Sequence, residues 1–367
     1  MRLYCHKELR VLTLTTLCLV LFALSGCAVV GPRSVSMGRA DYNEAINRTE
    51  DEQMLKGIVK GRYGETVSLL AVSGVAANVR FATNAGVQAG LFGSNDTYAG
   101  NIIPFSGGVA YEENPTITYT PVQGEKYLRQ LMSPIPLDIL VLSMRTGTDS
   151  ARFLIMFANR INDMRNPDFL DAPSAEQDPR FQRYAALDAD MRKAGVLDIL
   201  ADSREEGTFD VLISNYAPAY SEKVREYLTL LGLPMPKDQS EDIILPVYFA
   251  VKGQKLDGIA ISTRSTVDLI QILSAAIEIP QEHTDAGMAI NYPTMGLAGK
   301  NIHIHSSKDK PNRSAVAVRH RGYWFYIDDT DMHTKLFYKE LRMVWSLSIA
   351  AAEDQGVAPV LTIPVSR

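Results

Sequence analysis

The chain has 367 residues, of which 46% are hydrophobic and 22% are charged, and its formal net charge is −5. This composition is typical of a globular protein that can bury a core, and it excludes an intrinsically disordered chain. A mildly acidic chain without a block of basic residues is a poor ligand for nucleic acid, so we expect no nucleic-acid partner.

The N-terminal 26 residues have the features of a secretion signal. Three basic residues precede the uncharged stretch "VLTLTTLCLVLFAL" (residues 11–24), which is too short to span a membrane comfortably. The stretch ends in Leu24-Ser25-Gly26-Cys27, which resembles the lipobox of bacterial lipoprotein signal peptides. The resemblance implies that residues 1–26 are removed and that Cys27 becomes an acylated N-terminus, which anchors the protein to a membrane. The alternatives are an ordinary secretory signal and a short buried helix with an incidental cysteine.

Cysteine usage agrees with that interpretation. The chain has three cysteines: Cys5 and Cys18 lie in the segment to be removed, and Cys27 would carry lipid. The remaining 341 residues would then have no free thiol and no disulfide, which excludes cysteine-based catalysis and cysteine-ligated zinc. The residue after Cys27 is Ala28 rather than an inner-membrane retention aspartate, so the resemblance implies a periplasm-facing protein of the outer membrane in a Gram-negative host. We expect no cofactor.

The first part of the body combines a tether, a helix and a glycine-rich segment. Residues 27–40 contain glycine and proline and are predicted to form a short tether. Asp41 and Glu44 have the spacing of a capping box, which predicts a helix over about 42–61. Residues 71–122 are rich in glycine and poor in charge, with short alternations that predict β-hairpins.

The rest of the body predicts an α+β fold, with a helical middle region, antiparallel β-hairpins and a C-terminal mixed α/β lobe. Residues 124–235 have mostly helical patterns, and strands alternate with helices after residue 236. The predicted organisation is therefore a signal peptide (1–26), a tether (27–40), a first lobe (41–235) and an α/β lobe (236–367). The two lobes could also form one continuous domain.

Three histidines are candidate metal ligands. His303 and His305 are two residues apart on a predicted strand, so their side chains share a face, and His320 lies on a neighbouring strand. Three imidazoles could bind a metal ion. The alternative is the polar face of a strand whose other face buries Ile302 and Ile304, and we favour that alternative and expect no metal.

Two further patterns allow a chemical and a structural interpretation. Asp328, Asp329, Asp331 and His333 precede the last helix, where carboxylates could bind calcium or magnesium, or could simply cap the helix. Capping is favoured. The sequence Ser307-Lys308-Asp309-Lys310 matches S-x-x-K, but it lies in a hydrophilic loop and the companion motifs of serine–lysine enzymes are absent. No residue is therefore predicted to be catalytic.

The densest aromatic cluster is a possible binding surface. It comprises Tyr323, Trp324, Phe325 and Tyr326 in "RHRGYWFYIDD" (residues 319–329). Such rings could contact a sugar or a peptide. The alternative is a hairpin strand turned at Arg321-Gly322, with alternate rings on its two faces.

The body also has a resemblance of its own. The stretches "GPRSVSMGRADYNEAINRTEDEQMLKGIVKGRYG" (31–64), "PTITYTPVQG", "STRS" and "RGYWFYIDDTD" resemble a set of uncharacterised proteobacterial lipoproteins. The resemblance implies a lipidated envelope protein and assigns no activity and no catalytic residue.

Two functions follow as hypotheses. The first is a non-enzymatic interaction or assembly component at the outer membrane, which binds another envelope protein through the glycine-rich hairpins of 71–122. The alternative is a periplasm-facing ligand-binding protein or envelope hydrolase. It would use the region 301–333, with His303, His305, Tyr326, Asp329 and Asp331 near a cleft.

Overall fold

The computed structural model describes residues 27–66, 69–76, 79–87, 105–113, 116–122, 125–146, 149–170, 178–201, 208–237, 241–249, 257–353 and 361–364. The predicted signal segment, residues 1–26, lies outside them. Contacts divide the chain into two compact units. The first unit is Met1–Glu50, Leu70–Pro121 and Ala358–Arg367, and the second is Asp51–Leu69 and Val122–Val357. The fold is α+β, as predicted.

The helices are α1 (Cys27–Arg62), α2 (Glu125–Met132), α3 (Leu137–Thr146), α4 (Ser150–Phe157), α5 (Pro179–Lys193), α6 (Ser221–Leu231), α7 (Thr266–Ala275), α8 (Gln281–Asp285) and α9 (Met332–Glu353). The strands are β1 (Leu69–Ala76), β2 (Val79–Val87), β3 (Phe105–Glu113), β4 (Thr116–Val122), β5 (Ala158–Ile161), β6 (Met164–Arg165), β7 (Phe169–Leu170), β8 (Leu197–Ala201), β9 (Phe209–Ile213), β10 (Ile243–Phe249), β11 (Ile259–Thr263), β12 (Thr294–Met295), β13 (His305–Ser307), β14 (Ser314–His320), β15 (Tyr323–Asp328) and β16 (Leu361–Pro364).

The first unit contains the strands predicted in the glycine-rich segment. β2 and β3 pair antiparallel from Val79↔Glu113 to Val87↔Phe105, and β1, β4 and β16 form a three-stranded sheet in the order β1-β4-β16. Helix α1 begins at Cys27 rather than near residue 42, so the segment predicted as a tether is helical in the structure.

The second unit is built on a six-stranded sheet in the order β6-β5-β11-β10-β9-β8. β10 and β11 run parallel, and the other neighbouring pairs are antiparallel. The helices α4 and α5 pack against one face of this sheet, where alternate strand residues such as Ile213 and Ile161 are fully buried, and α6 packs against α5. A separate sheet, β13-β15-β14, joins the same hydrophobic core through Phe325.

Helix α5 follows the predicted pattern closely. Asp178 caps its N-terminus by accepting a hydrogen bond from the Arg180 N–H, and Pro179 occupies the first turn. Its apolar residues at helical spacing are all buried, namely Phe181, Tyr184, Leu187 and Met191. Spacing of three and four residues therefore places one apolar stripe on the core.

The middle region also contains strands that the helical pattern did not predict. The stretch "SARFLIMFANRIND" begins as α4, but the helix ends at Phe157 and the chain continues as β5. Its apolar residues fit a helix or a buried strand equally well, and pairing of β5 with β11, about a hundred residues later, decides between them.

The β14–β15 hairpin has the predicted turn. His320 pairs with Tyr323, and the two residues between them have positive φ, 47° for Arg321 and 89° for Gly322. Such a two-residue turn matches the twist of an antiparallel pair, and the second position suits glycine. Within the described ranges, we find no helix with the length and apolarity needed to span a membrane.

Candidate functional site

An open groove of about 770 Å³ lies in the second unit. Its floor is mainly apolar and includes Ala276, Ile277, Ile302 and Ile304. The polar residues along it are Glu278, Thr294, Lys300, Asn301, His303 and His305. An apolar floor with a few polar groups is the usual composition of a ligand-binding site.

Backbone pairing builds the groove from distant segments. The Ile304 N–H donates to the Ala276 carbonyl at 3.1 Å, and the Glu278 N–H donates to the Ile304 carbonyl at 2.8 Å. The segment that follows α7 is thereby joined to the segment that leads into β13. This pairing buries Ile302 and Ile304, as predicted, and leaves the two histidines on the other side.

One wall of the groove depends on a close backbone approach. The Gly296 N–H donates to the Asp168 carbonyl at 2.7 Å, next to the short β7–β12 pair. A Cβ at Gly296 would lie 1.9 Å from the Pro167 carbonyl oxygen. Only glycine allows these two segments of the backbone to approach this closely.

The two predicted histidines lie side by side in the groove. The ring centroids of His303 and His305 are 6.2 Å apart, with 18° between the ring planes. His305 Nδ1 lies 3.3 Å from Glu278 Oε2, and its ring centroid is 5.5 Å from that of Tyr326. The groove therefore offers two imidazoles and a carboxylate to a ligand, and Tyr326 packs against one of the imidazoles from outside the lining.

Asp331 acts on the groove indirectly. Its carboxylate accepts hydrogen bonds from the Thr334 N–H (3.0 Å) and hydroxyl (2.6 Å), so it caps α9 as predicted. The Thr334 hydroxyl in turn accepts a hydrogen bond from the His303 N–H at 3.0 Å. Burial alone would raise the pKa of Asp331, but the hydrogen bonds from Thr334 outweigh it and lower that pKa. Asp329 instead pairs with Lys335 at 2.6 Å.

His320 lies in a different environment from His303 and His305. Its Nε2 is 3.2 Å from Glu65 Oε1, and its ring packs edge-on against Tyr63. Burial, followed by the charge of Lys56, lowers the pKa of His320, so the neutral ring is favoured. In the described part of the chain, no group of three or more His, Cys, Asp or Glu residues is arranged to hold a metal ion.

The predicted aromatic surface is divided between several environments. Phe325 is fully buried, whereas Tyr323, Trp324 and Tyr326 are half-buried, as expected for alternation along a strand. Tyr323 packs edge-on against His283, Lys310 lies over the Trp324 ring, and only Tyr326 contacts a groove histidine. The four rings therefore do not form one continuous platform.

Sequence reasoning missed several residues of the groove, namely Leu170, Glu278, Thr294, Met295 and Lys300. They come from segments that no motif links to the histidines. It also missed the hydrogen bond of 2.7 Å between the Tyr63 hydroxyl and His283 Nδ1, which joins α1 to α8. Burial raises the pKa of Tyr63 to about 12, so its hydroxyl keeps its proton.

Comparison with known proteins identifies no relative for this chain: no family model matches it, and no curated protein or solved structure is significantly similar.

Proposed function

We propose that this chain is a lipid-anchored protein of the bacterial cell envelope, held at the outer membrane through Cys27, and that it binds another envelope component without catalysing a reaction. The observation that carries the proposal is the sequence Leu24-Ser25-Gly26-Cys27 at the end of a basic and then apolar segment. Ala28 in place of an aspartate supports the outer membrane as the destination.

The anchor has a simple physical basis. Each buried CH₂ of an acyl chain contributes about 0.8 kcal/mol to membrane binding, and two or more chains on one residue are enough for stable attachment. A folded body of 341 residues would then work close to the membrane surface.

The anchor and the partner can be tested together. Cells would express the native chain, Cys27→Ser, or the control Cys18→Ser, and would be crosslinked before membrane fractionation and co-purification. We expect the native chain and Cys18→Ser to fractionate with the outer membrane and to recover the same partner. Cys27→Ser should lose both. Outer-membrane recovery that is unchanged in Cys27→Ser would contradict the proposal.

The candidate partner surface is the glycine-rich hairpin region. Among the described residues, β2 and β3 form a two-stranded sheet with nine paired positions and no third strand, so its outer edges could accept a strand from a partner. Partner recovery that survives deletion of residues 75–112 would exclude this surface. Both tryptophans, Trp324 and Trp345, lie in the second unit, so their fluorescence reports whether that unit still folds after the deletion.

A second candidate function is ligand binding in the groove. It is favoured by the apolar floor and by the convergence of His303, His305 and Glu278. Purified cell-wall muropeptides are a suitable probe, with binding followed by NMR line broadening. We expect His305→Ala to weaken binding and Lys310→Ala, which contacts Trp324 outside the groove, to leave it unchanged. No binding to the native chain would exclude this ligand class.

A further inference from the structure

The six-stranded sheet of the second unit has one face that its packed helices leave open. Alternate residues of β10 point in opposite directions: Leu245 and Val247 are buried beneath the helices, whereas Ile244 is 59% and Tyr248 is 37% exposed. Leu200 of β8, on the same side as Ile244, is 40% exposed. A sheet face with large exposed apolar side chains is a candidate interface.

The strand register places charged residues of opposite sign at the two ends of this open face. Tyr248 pairs with Ala260 of β11, and Ser262, two residues later on the same side, pairs with Arg160 of β5. Arg160 pairs in turn with Arg165 of β6, so both arginines lie on the side of Tyr248. At the other end, Asp198 of β8 pairs with Leu212 of β9, which pairs with Ile244. Asp210 is on the same side, two residues from Leu212.

These four charged side chains are not neutralised locally. No ion pair joins Arg160, Arg165, Asp198 or Asp210 to another side chain in the described ranges. The open face thus has a basic end, a centre with Ile244 and Tyr248, whose hydroxyl donates to the Asp257 carboxylate at 3.4 Å, and an acidic end.

We propose that the open face binds a second copy of this chain in a twofold-symmetric dimer. A twofold axis that lies in the plane of the interface, perpendicular to the line joining the charged ends, exchanges those ends. Each basic end then meets the acidic end of the other copy, and the two centres meet at the axis. A face with a basic end and an acidic end is complementary to a second copy of itself. A partner with charge of one sign would be complementary to only one of the two ends.

The size of the face sets the strength of the dimer. Six strands at about 4.8 Å spacing span roughly 24 Å, and the five-residue strands β8, β9 and β11 are roughly 17 Å long at about 3.4 Å per residue. The face therefore covers roughly 400 Å², less than the ~800 Å² per partner of a standard interface. The dimer is therefore weak and depends on protein concentration.

Disulfide crosslinking tests the centre of the interface. Tyr248→Cys lies near the proposed axis, and Gln182→Cys, on the exposed side of α5, is the matched control. Both would be made in the full chain with Cys5→Ser and Cys18→Ser, which leaves Cys27 as the one other cysteine. We expect a disulfide-linked dimer for Tyr248→Cys under mild oxidation. Equal crosslinking at the two positions would overturn the proposal.

Exchanging the charges of Arg165 and Asp198 tests the contacts at the two ends of the open face. The detergent-solubilised full chain would be sedimented over a concentration series. We expect Arg165→Asp to weaken the dimer by about tenfold, since each interface then holds two like-charged contacts, and Arg165→Asp with Asp198→Arg to restore it. Equal urea midpoints would show that both variants fold. A monomer at all concentrations, or an absence of rescue, would overturn the proposal.

Discussion

The guanidinium of Arg264 is fully buried and donates a hydrogen bond from Nε to the carboxylate of Asp168. The other nitrogens of Arg264 donate to four backbone carbonyls, those of Ile155, Met156, Ala158 and Asn166. One side chain thus provides hydrogen-bond donors for backbone carbonyls at the end of α4, at the start of β5 and in the loop that leads to the groove wall. Burial lowers the pKa of Arg264, and the charge of Asp168 opposes that effect.

Replacing Arg264 should be among the most damaging single changes. Arg264→Met would leave Asp168 without its cation and four carbonyls without a donor. We expect a loss of about 3–5 kcal/mol in the free energy of unfolding, the usual cost of breaking a buried ion pair. Urea unfolding followed by tryptophan fluorescence measures it. Arg183→Met, which removes an exposed pair with Glu226, is the matched control and should shift the midpoint little. Equal effects would contradict this role.

A second buried ion pair, within α5, predicts a similar loss. The Asp188 side chain is 2% exposed and accepts hydrogen bonds from Arg192 at 2.7 and 3.2 Å. Asp188→Asn would leave Arg192 without its counter-charge, so we expect a loss of about 3 kcal/mol or more. Asp190→Asn, at an exposed pair with Lys223, is the control. The same thermal midpoint in both variants would refute the prediction.

The N-cap of α9 should contribute less to the free energy of unfolding than the two buried ion pairs, and its effect should be local. Asp331→Ala removes the acceptor of the Thr334 N–H and should cost about 1 kcal/mol, as for other N-caps. It should also shift the His303 amide resonance, because the Thr334 hydroxyl accepts from that amide. Asp329→Ala, which removes only the pair with Lys335, should leave the His303 amide unchanged. An unshifted amide in Asp331→Ala would show that the cap does not reach the groove.

Burial of His320 predicts a pH dependence of stability. Its pKa lies below the usual 6.5 in the folded protein, so the unfolded chain binds a proton first as the pH falls. The stabilisation is complete above pH 6.5 and is lost as the pH falls from 6.5 towards the folded pKa. Lys56 and Arg321 oppose protonation, and Glu65 favours it. Between pH 7.5 and 5.5 the free energy of unfolding should fall less in His320→Gln than in the native chain. The same dependence of that free energy on pH in both proteins would contradict the prediction.

Local patterns of the fold were readable from the sequence. The stretch Ser265-Thr266-Val267-Asp268 predicts the start of a helix, and in the structure Ser265 and Asp268 form the capping box that opens α7. The pattern predicts that Val267, Ile270, Leu273 and Ile277 point inward, which is only partly right. Leu273 and Ile277 are buried, whereas Val267 and Ile270 are half-buried and Leu269 and Ile272 take core positions. The reason is that α7 packs against several elements, so its buried stripe is wider than a single row.

Long-range contacts were not readable in the same way. Arg264 lies in the polar stretch "STRS", which indicates a surface turn, and its burial depends on carbonyls about a hundred residues earlier. The histidine pair of the groove follows from strand alternation, but Glu278 reaches His305 only because Ile277 and Ile304 form a bridge. No local pattern encodes that bridge.

The most direct test of the central claim, lipid anchoring at Cys27, is the mass of the N-terminal peptide of the protein purified from its own membranes. The account predicts a peptide that begins at Cys27 and carries a diacylglyceryl group on the sulfur. A mature protein that begins at any other residue, or that keeps an unmodified Cys27, would contradict it.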